Sequence, residues 1–506
     1  MAIRIEFRGL RYLLAVLVFF LGSVLQLRAQ GCNGVPSSAT GSVTWNPQWC
    51  QEFNATTAGP PDTTVWAFDL GNGGFGNNEI ETYCGPPGYS GNSSTCPATF
   101  STSTSNAYLD GAGHLILQAI NSGGNWFSAR MKTQGLQNFQ YGRIEASIQL
   151  PDTSHQGLWP SFWSLGSNIS TTPWPACGET DVMEVWSSSV LGGPGPAGNR
   201  STLHTSVTAG SGLQPNGHFT FPSGQANDTA PHTYGMIWSA NMQQFYIDNP
   251  SQPYYIVTTS NLPSGDTWPF NAQLFLLTNI AVGGTLGGTP SSLTSNPAIM
   301  TYDYMRQYQA AAIPAPMLGT PASITVKAGA TTGNSSTFTP TLTANSGYVY
   351  FSCSTTAAKA SCAIQTNDPL NPYVTNSGAG AQETVTVTVT TTANSTASNF
   401  PHDSTLSHWI PALVAFPFLL IVFPSTVRMR RVSLYTLVLV AGLILTGTAA
   451  LSCGGGGSNP PVTPSSNNGT PPGSYRVTVY GFTESNTSNG ANSNADAHVD
   501  IPLTVN

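Results

Sequence analysis

Three carboxylates lie close together in the segment CGETDVMEVW, residues 177–186: Glu179, Asp181 and Glu184. The chain has only 22 acidic residues among 506, so this local concentration is unusual for it. Alternate side chains of a β-strand share a face, so Glu179 and Asp181 lie together while Glu184 has the opposite parity. One extra residue, accommodated as a β-bulge between 181 and 184, would turn Glu184 back to the face of Glu179. The spacing therefore predicts three carboxylates on one face of a bulged strand.

This arrangement suits the cleavage of a glycosidic bond. A retaining glycosidase uses two carboxyl groups about 5–5.5 Å apart, one to attack the anomeric carbon and one to donate and then withdraw a proton. Asp181, between the two glutamates, would hydrogen-bond the nucleophile and help to hold the protonation states apart. Taken alone, the same three residues also fit a calcium site or a solvated acidic strand.

A tryptophan-bearing segment precedes the acidic strand by a short loop. The sequence GLWPSFWSLG, residues 157–166, carries Trp159 and Trp163, and alternation places positions 159, 161 and 163 on one face. Aromatic faces beside carboxylates are typical of sugar-binding clefts, because the rings stack on the apolar faces of pyranoses. We therefore favour a carbohydrate cleft over a cation site, although tryptophans at this spacing could instead belong to the core.

The elements that position these groups are predicted to be β-strands. From about residue 40 to 310, short runs rich in β-formers are separated by Gly, Pro and Asn, and no sustained helical period appears. Polar and apolar residues alternate in GRIEASIQL (142–150), HTYGMIWS (232–239), QQFYID (243–248) and YDYMRQYQ (302–309). Many short strands at such spacing predict an all-β fold, a β-sandwich or jelly roll.

A series of motifs along this region resembles one family. In chain order the motifs are QEFN (51–54), FGNNEIETY (75–83), DGAGHLILQA (110–119), ARMKTQG (129–135), FQYGRIEASIQLP (139–151), GLWPSFWSLG, GETDVMEVW (178–186), HTYGMIW (232–238), YIDN (246–249), NIAVGG (279–284) and MTYDYMRQYQ (300–309). Together they are similar to glycoside hydrolase family 16, in its laminarinase-like branch with the bulged E-x-D-x-x-E strand. The resemblance covers about residues 43–309.

The resemblance implies a concanavalin-like jelly roll and a retaining endo-glycosidase that acts on β-1,3-linked or mixed β-1,3/1,4 glucan. Met183, inside the expected bulge, resembles the β-1,3-glucanase form. An agarase, carrageenase or transglycosylase of the same family is an alternative. A catalytically silent glycan-binding surface protein is another, and a structural adhesin a third.

The resemblance also assigns roles to residues. It implies that Glu179 is the nucleophile, Glu184 the general acid/base and Asp181 the helper. The positions expected to contact sugar are Trp159, Trp163, Asn78, Arg130 and His204. No cofactor is implied for catalysis, but a structural calcium is expected, with Glu52 and Asp303 among its ligands. Thr180 stands where the motif normally has Ile or Leu, and its side chain should point between the sheets.

The chain divides into six expected segments. They are a signal peptide (1–29), a catalytic domain (30–312), the first part of an immunoglobulin-like region (313–400), a transmembrane hairpin (405–453), a linker (454–472) and the final immunoglobulin-like strands (473–506). Three arginines precede the apolar run of the first segment, as in export signals, although an uncleaved anchor helix also fits. The hairpin consists of two uncharged apolar runs around RMRR (428–431), which should stay cytoplasmic. A buried core hairpin is the weaker alternative.

Charge and cysteine content bear on partners and compartment. The net charge of −7 and the lack of a basic run give no indication of a nucleic-acid partner, so we expect a polysaccharide substrate and a membrane anchor. Eight cysteines fit an exported protein of the cell envelope. Cys32 with Cys50, Cys84 with Cys96, and Cys353 with Cys362 are pairings that the sequence suggests but cannot fix. That leaves Cys177 and Cys453 over.

Overall fold

The computed structural model describes residues 32–40, 43–208, 210–290, 295–313, 315–342, 347–376, 383–393, 469–486 and 490–506. The predicted signal peptide, the predicted hairpin and residues 454–468 of the predicted linker lie outside these ranges. Within the ranges, no helix is both long enough and apolar enough to span a membrane. The chain divides into two compact units, and all the described residues except Gly469 belong to the unit formed by Met1–Ala393 and Thr470–Asn506.

The region expected to be catalytic forms two β-sheets. Its strands are β1 (Ser38–Thr40), β2 (Val43–Gln51), β3 (Ala67–Asp69), β4 (Thr82–Tyr83), β5 (Ala107–Leu109), β6 (Leu115–Ser122), β7 (Asn125–Ser128), β8 (Arg130–Lys132), β9 (Gly142–Gln149), β10 (Leu158–Gly166), β11 (Glu179–Glu184), β12 (Gly198–His204), β13 (Gly217–Thr220), β14 (His232–Ser239), β15 (Met242–Ile247), β16 (Tyr255–Thr258), β17 (Leu274–Val282) and β18 (Ala298–Ala310). The only α-helix assigned in this described region, α1, is one turn long (Gly284–Gly287), and three short 3₁₀ turns lie at Gly74–Gly76, Thr259–Asn261 and Pro269–Asn271.

The two sheets differ in size and in role. One has seven strands in the order β13-β12-β11-β10-β17-β8-β3, with the acidic strand β11 between β12 and β10. The other has eleven strands and follows the order β16-β15-β14-β9-β18-β6-β7-β4, with β1, β2 and β5 attached at its side. The predicted all-β sandwich is therefore confirmed, and the seven-stranded sheet carries the predicted catalytic groups.

The core lies between the two sheets and follows the predicted alternation. In β9, Ile144, Ala146 and Ile148 are completely buried, and in β14 the inward residues are Tyr234, Met236 and Trp238. Burying a large apolar side chain contributes roughly 1.5–3 kcal/mol relative to leaving it exposed. Because these side chains repeat with period two, a one-residue slip in register would turn them all away from the core. The packing thus fixes the face to which each site residue points.

The C-terminal region forms a second pair of sheets. Its strands are β19 (Ile324–Val326), β20 (Ser335–Phe338), β21 (Tyr348–Thr355), β22 (Ala360–Gln365), β23 (Val374–Asn376), β24 (Val385–Thr391), β25 (Gly473–Thr483) and β26 (Ala497–Val505), with a 3₁₀ turn at Asn492–Asn494. The five-stranded sheet has the order β19-β26-β25-β21-β23, and the three-stranded sheet β20-β24-β22. β25 pairs with β21 along seven residues, which confirms that the distant C-terminal strands complete this region. Its immunoglobulin-like character stays a prediction.

The C-terminal sheets pack against the first sandwich through a buried acid. The side chain of Gln244 on β15 donates a 2.6 Å hydrogen bond to Oε1 of Glu484, and the backbone N–H of Tyr348 donates to the same oxygen at 3.2 Å. Glu484 is only 4% exposed, and no basic group is among its contacts that shift its ionisation. Burial raises the pKa of Glu484 from 4.5 to about 7, against these two hydrogen bonds, which lower it.

The free energy of unfolding should therefore decrease as the pH rises and the Glu484 carboxyl ionises. The raised pKa means that folding favours the protonated acid, so its contribution is complete below about pH 4.5 and is lost as the pH rises through about 7. The free energy involved is on the order of 3 kcal/mol. Because glutamine cannot ionise, Glu484→Gln should flatten the decline between pH 5 and 7 in thermal or urea unfolding. Asp500→Asn, on β26 with the carboxyl 44% exposed, is the control. Parallel pH curves for Glu484→Gln and the unaltered chain would contradict this prediction.

The cysteines pair as the sequence suggests. Disulfides join Cys32 to Cys50, Cys84 to Cys96, and Cys353 to Cys362. Cys177 is a buried free thiol just before β11. Cys453 lies outside the described residues. All three bonds fit an exported chain, since such bonds persist in oxidising compartments.

Candidate active site

The predicted bulge is present in β11 and is visible from both neighbouring strands. On the β12 side, Asp181 pairs with Thr202 and Glu184 with Arg200, so three steps on β11 match two on β12. The register against β10 shifts at the same place. Val182 and Met183 both enter the core, and Glu184 returns to the opposite face. The odd spacing of the three acids is therefore resolved by one extra residue, as expected.

A single cleft lies over this face of the seven-stranded sheet. Its volume is about 850 Å³, and Glu179, Asp181 and Glu184 all line it. The cleft crosses five strands, from β12 over β11, β10 and β17 to β8. Thr180 points the other way, as predicted, and its hydroxyl donates to Oε1 of Gln243 on the facing sheet at 3.2 Å. The hydroxyl that replaces the usual apolar side chain thus has a partner in the core.

The two predicted tryptophans line the cleft and are held in different ways. Trp159 is partly exposed, and its indole N–H donates a 3.0 Å hydrogen bond to Oε1 of Glu184. Trp163 is 9% exposed and donates to Asn279 at 2.9 Å. Arg130 lies over the ring of Trp163 at 4.7 Å and is also ion-paired with Asp69 at 3.0 Å. The shared face predicted for positions 159, 161 and 163 is therefore correct.

His204 lies at the other end of the acidic strand. Its Nε2 is 3.2 Å from Asp181 Oδ2 and 3.6 Å from Glu179 Oε1. Trp174, in the loop before β11, has its ring centre 6.1 Å from that of His204 and is 44% exposed in the cleft. Trp174 also hydrogen-bonds Glu179. The nucleophile position is therefore surrounded by donors that favour its ionised form.

The three carboxyl groups cannot all ionise together. Burial, followed by the charge of Asp181, raises the pKa of Glu179 to about 8, although His204, Arg130 and Trp174 oppose this shift. The same two causes raise the pKa of Glu184 well above its usual value, and Glu179 raises it further. Burial also raises the pKa of Asp181, against His204. Since both His204 and Arg130 lower the pKa of Glu179, whereas His204 is the one cation that lowers that of Glu184, we place the retained proton on Glu184, where a general acid needs it.

The charge state of His204 bears on the alternative of a cation site. Glu179, Asp181 and His204 offer ligand atoms within 4.8 Å of one another. Burial lowers the pKa of His204, but the hydrogen bond and charge of Asp181, with the charges of Glu179 and Glu184, raise it to about 10. A protonated imidazole has no lone pair to give a metal. The group therefore fits an ion-paired catalytic centre better than a metal site.

One predicted contact is displaced by a single residue. Asn78 is exposed, has a positive φ of 60°, and is absent from the cleft wall, whereas its neighbour Asn77 lines the cleft. Asn77 donates to Glu79 at 3.1 Å, and Glu79 accepts from Tyr83 at 2.8 Å. Asn78 thus lies outside the cleft wall, and its role as a sugar contact stays a prediction.

Of the two predicted calcium ligands, Glu52 is engaged in an ion pair. Both carboxylate oxygens of Glu52 accept hydrogen bonds from Arg306, at 2.7 and 2.6 Å. Asp303 is exposed at a register shift in β18. Among the described residues, neither belongs to a group of three acids, histidines or cysteines close enough to hold an ion. The guanidinium already neutralises Glu52, so the structure does not support the expected calcium site.

Several cleft residues were not singled out from the sequence. They include Asn77, Glu79, Trp174, Arg200 and Asn279. Trp174 stands in WPACGE directly before the acidic strand, where an aromatic beside the catalytic motif was a usable signal. Glu79 lies within the motif FGNNEIETY, but its carboxylate could be assigned to the cleft only once β17 was known to lie beside it.

A β-sandwich with paired glutamates, a bulged strand and tryptophans in one cleft defines the class of β-sandwich glycosidases. Residues 97–305 match the model of the glycosyl hydrolases family 16. The β-glucanase of Rhodothermus marinus is 30% identical over 291 residues, which are 55% of this chain and 91% of that protein. This chain belongs to glycosyl hydrolase family 16.

Two further proteins are similar to this chain. The glucan endo-1,3-β-glucosidase A1 of Niallia circulans is 27% identical over 286 residues, which are 52% of this chain. The match spans only 37% of the length of that relative. Among solved structures, the endo-β-1,3-glucanase of Pyrococcus furiosus is 29% identical with a TM-score of 0.46, covering 55% of this chain and all of that one.

Proposed function

We propose that this protein is a retaining endo-glycosidase that hydrolyses β-1,3-linked or mixed β-1,3/1,4 glucan by double displacement. The observation that carries the proposal is the bulge in β11, which brings Glu179 and Glu184 to one face of the cleft with Asp181 between them. Two relatives in the family, from Rhodothermus marinus and Niallia circulans, are named as a β-glucanase and a glucan endo-1,3-β-glucosidase.

The first step transfers the sugar to the protein. The ionised carboxylate of Glu179 attacks the anomeric carbon, a bond forms between that carbon and the carboxylate oxygen, and the glycosidic bond breaks. The proton on Glu184 passes to the departing oxygen, so the leaving chain departs as a neutral alcohol. His204 and Trp174 favour the ionised form of Glu179, against the effects of burial and Asp181.

The second step releases the sugar. Glu184, now a carboxylate, removes a proton from water, and the resulting oxygen attacks the anomeric carbon as the bond to Glu179 breaks. Two inversions leave the β configuration unchanged. The Trp159 indole N–H, 3.0 Å from Glu184, stabilises the carboxylate that exists between the two steps.

A substrate panel with product analysis tests this proposal. Laminarin, lichenan, agarose and xyloglucan should be compared for reducing-sugar release, and we expect laminarin and lichenan to be cleaved. NMR of the first-formed product should show the β anomer before mutarotation. Cleavage of agarose alone would move the substrate to another class, and an α product would overturn the double displacement. Binding to every glucan without turnover would indicate a silent glycan-binding protein.

We also propose that the enzyme is exported and held at the cell envelope. The N-terminal arginines and apolar run support export, and the apolar runs around residues 428–431 support a membrane hairpin between two parts of an immunoglobulin-like region. The chain should then stay with membranes after a carbonate wash. Quantitative release into the wash would overturn the anchoring, without affecting the catalytic proposal.

A further inference from the structure

The cleft continues past the acidic strand on the side of β12. This part, which we call the β12 side, is lined by Trp186, Leu191, Arg200, Thr202 and Asn216. The predicted sugar contacts Trp159, Trp163 and Arg130 lie on β10 and β8, across β11 from it. A chain cleaved in its interior must extend to both sides of the catalytic pair. The β12 side therefore needs binding residues of its own.

Arg200 is fixed in place on this side. Its guanidinium lies over the ring of Trp186 at 5.2 Å. It donates to the carbonyl of Gly192 at 3.3 Å and to Asn216 Oδ1 at 3.3 Å, and it lies 3.1 Å from Nε2 of His218. These contacts use three of the five guanidinium N–H groups and leave two, the buried Nε–H, which has no protein partner, and one terminal N–H on Nη1. An arginine immobilised in this way loses little further entropy when it binds a ligand.

Arg200 is not ion-paired with any carboxylate of the described residues. None of the ion pairs among the described residues includes it. Burial, with the charge of Arg200, lowers the pKa of His218, so this neighbour accepts as a neutral ring at pH 7. The remaining donors carry the guanidinium charge at a cleft wall that otherwise offers neutral groups, and hydrogen bonds from charged donors are the stronger ones.

The register places Arg200 beside the general acid. Arg200 is the partner of Glu184 on β12, whereas His204 is the partner of Glu179. The general acid must face the departing oxygen, so the sugar that carries this oxygen lies next to Glu184, and because the predicted sugar contacts Trp159 and Trp163 occupy the β10 side, we assign this sugar to the β12 side. Leu191, 96% exposed at the same wall, offers an apolar surface to the face of a pyranose ring.

We propose that Arg200, seated on Trp186, binds a hydroxyl of the first sugar of the leaving chain and so determines affinity on the reducing-end half of the cleft. The inference rests on the function proposed above. It assigns the β12 side a neutral glucosyl unit, held by one charged donor and an apolar rim. The same subsite then receives the acceptor when a sugar replaces water in the second step.

Two substrates separate this role from a general effect on catalysis. Laminaripentaose places sugar on both sides of the cleavage point, whereas p-nitrophenyl β-laminaribioside has only a phenol on the β12 side. Arg200→Met should lower kcat/KM for the pentaose by about 10- to 100-fold, the range for one hydrogen bond from a charged donor. The aryl substrate should change little. Each variant is assayed at its own pH optimum, because losing the cation also affects Glu184.

Further variants keep the test decisive. Arg200→Lys keeps the positive charge but loses the planar guanidinium. It should therefore leave the pH profile unchanged and still lower kcat/KM for laminaripentaose. Melting curves will check that this variant is folded. Arg130→Met, on the opposite side of the cleft, is the matched control and should lower kcat/KM for both substrates. With laminaribiose added as acceptor to the aryl donor, the yield of transfer product should fall in Arg200→Met.

Equal losses on both substrates, or no loss on either, would overturn the role of Arg200. An unchanged transfer yield would do the same. If the unaltered protein cleaves neither substrate, the proposed function itself fails, and the assignment of this subsite fails with it.

Discussion

Glu179→Gln should abolish the release of reducing sugar from laminarin, with kcat reduced by about 10⁴-fold or more, at or beyond the upper end for one catalytic group. The amide has nearly the same shape but is not an anionic nucleophile, so the bond to the anomeric carbon cannot form. His204 and Arg130 would then lose the carboxylate that they face. The melting temperature should change far less than the rate, since the side chain lines the cleft rather than the core.

Rescue with azide makes the role of Glu179 specific. Glu179→Gly leaves room for azide to attack the anomeric carbon of an activated aryl glycoside from the same face, which yields the α-glycosyl azide. Thr180→Val is the matched neighbour control: its side chain points to Gln243 between the sheets, and the variant should keep most of its activity. Undiminished activity in Glu179→Gln, or a β-glycosyl azide from Glu179→Gly, would contradict the assignment of Glu179 as the nucleophile.

Local periodicity was sufficient to predict the strand faces of the active site. The parity argument for Glu184 needed only the pleat of a strand and the known effect of one extra residue, and it gave the bulge correctly. Trp159 and Trp163 followed from the same alternation. These features could be predicted because each depends only on a few adjacent residues and on which face of the strand is buried.

Features that depend on a single backbone angle or on pairing over long distances could not be predicted. The positive φ at Asn78 exchanges it with Asn77 in the cleft wall, and no periodicity marks that exchange. The family resemblance implied Glu52 as a calcium ligand, but its partner Arg306 is distant in sequence, and only the pairing of β2 with β18 brings the two together. Arg200 gained significance only from its register with Glu184.

The buried Glu484 shows a different limit. Nothing in the segment around position 484 indicates that its carboxyl is enclosed, because the groups that bury it come from β15 and β21. A charge-bearing residue is rarely buried without a partner of opposite charge, so composition would place it at the surface. Its raised pKa is a property of the contact between the two sandwiches rather than of the local sequence.

The second large effect is expected for the general acid. Glu184→Gln should lower kcat on laminarin by about 10²- to 10⁴-fold, the usual contribution of a positioned acid. An aryl glycoside with a good leaving group needs no proton for the first step, so formation of the glycosyl-enzyme should persist with that substrate. Azide should then replace water in the second step and give a β-glycosyl azide, the opposite anomer to that expected from the nucleophile variant.

The pH profile provides an independent check on Glu184. Burial and Asp181 raise its pKa, so the unaltered enzyme keeps the acid protonated far above the pH at which an ordinary glutamate titrates, and kcat/KM should fall on the basic side as that proton is lost. Glutamine cannot lose this proton, so the basic limb should disappear in Glu184→Gln. In Trp159→Phe the limb should move to higher pH, because the indole N–H that favours the carboxylate is gone. A basic limb that persists unchanged in Glu184→Gln would mean that another group donates the proton. Glu184, the partner of Arg200 on the neighbouring strand, would then have to be assigned a different role.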